Sequence, residues 1–204
     1  MAKTTSTNVH GLNFLSAPDQ YRLGSVCAVV GNDAFLSQEI RKCLLHRSDE
    51  SDDELTLEIC DGRTAEWRNV VDLLRERSLF GGGSRTVVVE DADPFVKEFR
   101  DKIEQYVEEP ASDGLLVLEL TSLPGNTRLA KSIAKCGLTI RCSTPDRGKE
   151  LTEFTKSLKK WLIDTAKNEF EVELPRPAVD LLLDLVPTET GILYQEVDRL
   201  SLLV

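Results

Sequence analysis

Two kinds of apolar pattern alternate along this chain. Val26-Cys27-Ala28-Val29-Val30 is an unbroken apolar run, as expected of a strand buried on both faces of a sheet. Thr86-Val87-Val88-Val89 and Leu115-Leu116-Val117-Leu118 are further strands, Leu138–Cys142 is a fifth, and Leu55-Thr56-Leu57-Glu58-Ile59 alternates like a half-exposed strand. Between these runs the apolar positions shift to helical spacing. Phe35, Leu36, Ile40, Cys43 and Leu44 form one stripe; Trp67, Val70, Val71 and Leu74 form a second; Phe95, Phe99, Ile103 and Tyr106 form a third, opened by Pro94. A short helix is predicted from Arg128 to Lys135. Five strands alternating with helices predict an α/β domain with a mainly parallel sheet and right-handed crossovers.

From about Ser143 the strand pattern stops. Leu151, Phe154, Leu158, Trp161, Leu162 and Thr165 mark one helix; Ala178, Leu181, Leu182 and Leu185 a second; Leu193, Val197 and Leu200 a third, with Thr190 as its expected N-cap. The reading is therefore a disordered lead-in at 1–20, an α/β domain at 21–143 and a small all-helical domain at 144–204. The last helix reaches Val204 without a stop signal, from which a further C-terminal segment is expected.

Composition narrows the function classes. With 204 residues and a formal net charge of −10, the chain lacks the basic face that a general phosphate-binding surface needs. No apolar run approaches the ~18 residues of a membrane span, and Met1 to Thr7 is not a signal peptide. Cys27, Cys43, Cys60, Cys136 and Cys142 have no metal-ligand spacing and read as reduced core thiols of a cytoplasmic protein. His10 and His46 have no Cys or carboxylate partner at ligand spacing. No metal site, cofactor or catalytic residue is expected.

The turn after the first strand is where a nucleotide would be held. A phosphate loop needs G-x-x-x-x-G-K-[ST], whose backbone N–H groups, lysine and hydroxyl meet phosphates and Mg²⁺. The chain has Gly31-Asn32-Asp33-Ala34-Phe35-Leu36: no second glycine, no lysine, and an acidic residue facing the would-be phosphate. No ATP hydrolysis is expected. Val87-Val88-Val89-Glu90-Asp91 looks like an apolar strand ending in metal-binding acids, but without the loop it reads as an ordinary strand end with solvated carboxylates. Arg141 could present a trans-acting arginine, or be a plain surface cation.

The helix carrying Trp67 ends in Arg77-Ser78-Leu79-Phe80-Gly81-Gly82-Gly83. Three glycines cannot sustain a helix. Leu79 and Phe80 are either a protruding apolar knob that fills a partner's pocket, or residues folded back into the core.

Taken together, four stretches resemble the delta subunit of the bacterial DNA polymerase III clamp loader: Val29 to Leu36, with its Gly, acid and Phe-Leu; Ser78-Leu79-Phe80 followed by the Arg85-Thr86-Val87-Val88-Val89 strand; residues 115–135; and Glu196-Val197-Asp198-Arg199-Leu200 after Thr190-Gly191. The resemblance spans about residues 24–204. It implies a P-loop-NTPase-like, AAA+-type fold that has lost ATP binding, followed by a small helical domain and, in the family, a third helical domain. It implies no catalysis by this subunit, which binds the sliding clamp (the beta subunit) and holds one ring interface open for loading on primed DNA. Its other partners are the gamma/tau and delta-prime subunits, and DNA only indirectly. By the same resemblance Ser78, Leu79 and Phe80 contact the clamp; Gly31, Asn32 and Asp33 mark a degenerate, non-binding phosphate-loop position. Arg128, Lys131 and Lys135 form a small basic face open to DNA or a neighbouring subunit, or simply solvated. Two alternatives stay open: a degenerate nucleotide-binding scaffold, and the sister delta-prime subunit. Thr139-Ile140-Arg141-Cys142 lacks the serine of the latter's Ser-Arg-Cys motif, and the cysteines here lack its zinc spacing.

Overall fold

A computed structural model describes residues 7–48, 56–76, 85–112 and 114–203. Six strands form one sheet among these residues: β1 (Asn8–His10), β2 (Val26–Gly31), β3 (Thr56–Asp61), β4 (Arg85–Glu90), β5 (Gly114–Leu120) and β6 (Leu138–Cys142), in the order β1-β6-β2-β5-β4-β3. Every neighbouring pair is parallel. The helices are α1 (Gly11–Ser16), α2 (Ala34–Ser48), α3 (Trp67–Arg75), α4 (Asp93–Glu108), α5 (Arg128–Cys136), α6 (Gly148–Asn168), α7 (Arg176–Leu185) and α8 (Thr190–Ser201).

The continuous apolar runs have the expected cause. Within β2, Val26 and Ala28 face one hydrophobic cluster and Cys27 and Val29 the other; in β5, Leu116, Leu118 and Leu120 oppose Leu115 and Val117 in the same way. With side chains alternating across the sheet and both faces covered, consecutive positions along these runs are apolar. One face is packed by α3, α4 and α5, through Val70, Leu74, Phe95, Ile103, Leu129 and Ile133. The other is packed by α1, α2 and the C-terminal helices, through Leu12, Phe14, Leu36, Ile40, Phe154, Leu158 and Leu193. The helices after β6 thus share a core with one face of the sheet.

The sequence reading needs correction at several places. The sheet has six strands, not five: residues 8–20, expected in a disordered lead-in, carry β1, α1 and a 3-10 turn at Pro18–Gln20. β1 pairs with the edge of β6 through only three residues, and Asn8-Val9-His10 has a single apolar side chain to signal it. On α7 the buried residues are Val179 and Leu182, while Leu181 and Leu185 are 58% and 74% exposed. On α8, Leu200 is exposed as well. Cys136 is exposed, Cys43 and Cys60 are half-buried, and only Cys27 and Cys142 are core thiols. Thr190 is not the N-cap of α8: Glu189 holds that position, and Thr190 begins the helix with a different task.

Candidate functional site

The carboxyl ends of parallel strands form the crevice where open α/β sheets take ligands. Here that crevice is built around the turn from β2 to α2. Gly31 has φ +149°, and a Cβ there would stand 2.0 Å from the Cys142 carbonyl oxygen, so only glycine lets β2 and β6 close on each other at this point. Asp33 follows, and all its polar groups are used. Its N–H donates to the Cys142 carbonyl at 3.0 Å and its carbonyl accepts from the Ser37 N–H at 3.0 Å. Oδ1 accepts from the Leu36 N–H at 2.9 Å, and Oδ2 accepts from the Thr190 hydroxyl at 2.5 Å. The first turn of α2, the position a phosphate would take, is therefore capped by the chain's own carboxylate. Phe35, beside it, packs against Trp161 and Tyr194 with ring centroids 6.2 and 5.0 Å apart.

The neighbouring strand ends add acids. Glu90 and Glu119 both meet Arg41 from α2, the latter at 3.4 Å, and Asp91 meets Arg63. Glu90 and Asp91 are thus ion-paired, not simply solvated as the sequence suggested. Burial raises the Glu119 carboxyl above its ordinary range, with Arg41 opposing and Asp91 adding to the rise. The crevice thus holds four carboxylates, Asp33, Glu90, Asp91 and Glu119, of which Glu90 and Glu119 share Arg41 and Asp91 meets Arg63. Arg41 and Glu119 escaped the sequence reading, because nothing local in either residue's surroundings signals a shared ion pair.

His10 closes the other end of the crevice. Its Nδ1 accepts from the Leu12 N–H, capping α1, and Nε2–H donates to the Ser143 carbonyl at 3.0 Å. Burial lowers the imidazole's proton affinity; Arg141 lowers it further, while the Ser143 carbonyl and Asp33 oppose. The folded state therefore prefers neutral His10, and the unfolded chain takes up the proton first as pH falls. This contribution to stability is complete above about pH 6.5 and is lost below it, with a slope of at most about 1.4 kcal/mol per pH unit. Melting curves between pH 7.5 and 5.5 should show His10→Gln losing less stability across the window than wild type. Arg141 lies exposed at the end of β6, 3.9 Å from Glu150.

Ser78, Leu79 and Phe80 lie outside the described residues. What flanks them is defined. Helix α3 ends at Arg75 with Val70, Val71 and Leu74 buried, as the stripe predicted. The Glu76 and Arg85 side chains then meet at 3.1 Å, tying the end of α3 to the start of β4.

On α5, Arg128, Lys131 and Lys135 are all exposed and share a face at i, i+3 and i+7. Arg128 is already engaged, 3.3 Å from Glu104 and 3.3 Å from Glu108 on α4. Glu104 is only 5% exposed, so Arg128→Ala would strand a buried carboxylate. The expected loss is about 1–3 kcal/mol, read as a lower denaturant midpoint. Arg128→Lys should recover part of it.

Among the described residues no helix is long and apolar enough to cross a membrane, and no cluster of His, Cys, Asp or Glu could hold a metal ion.

No protein-family model matches the chain. No curated protein matches it either. Among solved structures it is similar to the Bacillus subtilis DNA clamp loader delta protein, with a TM-score of 0.64 and 16% identity over 95% of this chain and 56% of that one. The fold is clamp-loader-like. The chain spans little more than half the length of that protein. Thermotoga maritima RuvB, as its P216G mutant, matches at a TM-score of 0.48, with 14% identity over 93% of this chain and 60% of that one. Domain III of the Thermotoga maritima replication initiation protein DnaA matches at 0.46, with 12% identity over 95% and 80%. These two likenesses add nothing to the fold assignment.

Proposed function

We propose that this chain is a clamp-loader subunit of the delta type: it binds the bacterial sliding clamp through Ser78, Leu79 and Phe80 and favours the opened ring. The observation that carries the reading is the clamp-loader-like fold along 95% of the chain, in whose sequence Ser78-Leu79-Phe80 stands between α3 and β4. Clamp opening follows if the subunit binds the strained ring better than the closed one, since only differential binding shifts an equilibrium. The chain itself is proposed to be non-catalytic and to need no cofactor. That is supported by the missing lysine and by Asp33 at the α2 terminus, where phosphate would have to sit. Its other proposed partners are the gamma/tau and delta-prime subunits, in the cytoplasm at the replisome. Arg128, Lys131 and Lys135 offer a subsidiary contact to DNA backbone or to a neighbouring subunit, supported by their common exposed face and weakened by the carboxylates already on Arg128.

The test is co-elution of the chain with the sliding clamp of its own organism on size exclusion, with and without ATP. A complex that forms without nucleotide supports the reading. A nucleotide-dependent rise in melting temperature would instead revive a nucleotide-binding scaffold.

A further inference from the structure

We propose that Asp33 is a built-in replacement for a bound anion. It latches the C-terminal helices onto the sheet, so that their arrangement does not depend on any ligand. This inference stands apart from the clamp-binding reading and rests on the geometry of the β2–α2 turn alone.

In open α/β sheets the first turn of the helix after the central strand attracts an anion, because its N–H groups are unsatisfied and the helix dipole is positive there. In this chain Asp33 fills that place from within. Oδ1 caps α2 through the Leu36 N–H at 2.9 Å. Oδ2 reaches 157 positions along the chain to the Thr190 hydroxyl, at 2.5 Å, in the first turn of α8. Thr190 is 1% exposed, so this link is shielded from competing water. Around it the two parts touch closely. Gly191 lies so near that a Cβ on it would stand 3.1 Å from the Phe35 Cβ, and Phe35 itself packs on Trp161 of α6 and Tyr194 of α8. One carboxylate thus holds the start of α2 and the start of α8 together, above an aromatic cushion that joins α2, α6 and α8.

A diffusible ligand bridging these two termini would fix them only when bound, and by no more than its differential affinity for the closed arrangement. A tethered carboxylate is present at a high effective concentration whatever the solution contains. The consequence is a helical layer whose orientation on the sheet is constitutive.

The experiment compares wild type, Asp33→Ala and Thr190→Val by hydrogen exchange and by melting, in rising inorganic phosphate against sodium chloride of equal ionic strength. Thr190→Val removes only the cross-link and leaves the α2 cap, so it reads the latch even if Asp33→Ala folds poorly. Both variants should exchange at least several-fold faster than wild type in α8, with α3 unchanged. Asp33→Ala should melt about 2–4 °C lower and regain part of that loss in phosphate but not in chloride, while wild type gains nothing specific to phosphate. Unchanged α8 exchange in Thr190→Val would overturn the latch. Equal phosphate effects on wild type and Asp33→Ala would overturn the anion-replacement reading.

Discussion

Gly31→Ala should destabilise this protein about as much as removing a large core side chain. The new Cβ would stand 2.0 Å from the Cys142 carbonyl oxygen, and the backbone there has φ +149°, a conformation an L side chain rarely adopts. The obstacle is backbone, so no rotamer change can relieve it. β2 and β6 would have to separate at the Gly31–Cys142 pair. That separation also breaks the Asp33 N–H bond to the same carbonyl and moves the cap of α2. Strain and lost bonds together should cost roughly 3 kcal/mol or more, against a total stability that rarely exceeds about 15 kcal/mol. The expected outcome is a melting temperature roughly 6–12 °C lower, or an insoluble product. Gly125→Ala is the control, since a Cβ there meets nothing within 4 Å; it should melt within about 2 °C of wild type.

Much of the fold is legible because burial on both faces leaves an unmistakable trace. β2, β4 and β5 are apolar at consecutive positions, since both sides of the sheet are covered by helices there, whereas β6 alternates, with Leu138, Ile140 and Cys142 buried and Arg141 exposed. Amphipathic α2, α3 and α6 bury the stripes their spacing predicts: Leu36, Ile40 and Leu44; Val70, Val71 and Leu74; Phe154, Leu158, Trp161 and Leu162. β1 was illegible, because three residues at the sheet's edge with one buried side chain, Val9, have no periodicity to show. In α7 the closely spaced apolar positions fit more than one face, and the packing chose Val179 and Leu182 over Leu181 and Leu185.

The site divides the same way. Gly31 and Asp33 announce a turn that lacks the phosphate loop's lysine, and this much is local chemistry. That Asp33 accepts from Thr190 is not, because the partner lies 157 positions away. The same residue was expected to cap its own helix, which is what a threonine at a helix start does when nothing distant competes for its hydroxyl. His10 looked idle for a related reason: its ring joins α1 to the end of β6 through backbone groups, and backbone partners leave no mark in a sequence.

The second large effect concerns binding. On the proposed clamp-binding reading, Leu79→Ala/Phe80→Ala should weaken attachment to the sliding clamp by roughly 100-fold or more. Burying a Leu and a Phe in a partner's pocket contributes about 3–6 kcal/mol gross, and a few such anchors dominate an interface while their neighbours mainly exclude water. Part of the gross figure is offset by the costs of association, which is why the expected loss is smaller than the sum. On the same reading the two substitutions should change folding stability by no more than about 1 kcal/mol, the range expected of surface sites. Core residues would behave in the opposite way, each costing about 2–5 kcal/mol on truncation to alanine.

The deciding measurement is therefore calorimetric titration of the sliding clamp from the same organism with this chain, wild type beside Leu79→Ala/Phe80→Ala, each with its own melting curve. The delta-type reading predicts nucleotide-independent binding by wild type that vanishes in a double variant of unchanged stability. A well-folded wild type that does not bind, or a double variant that binds as tightly as wild type, would contradict it.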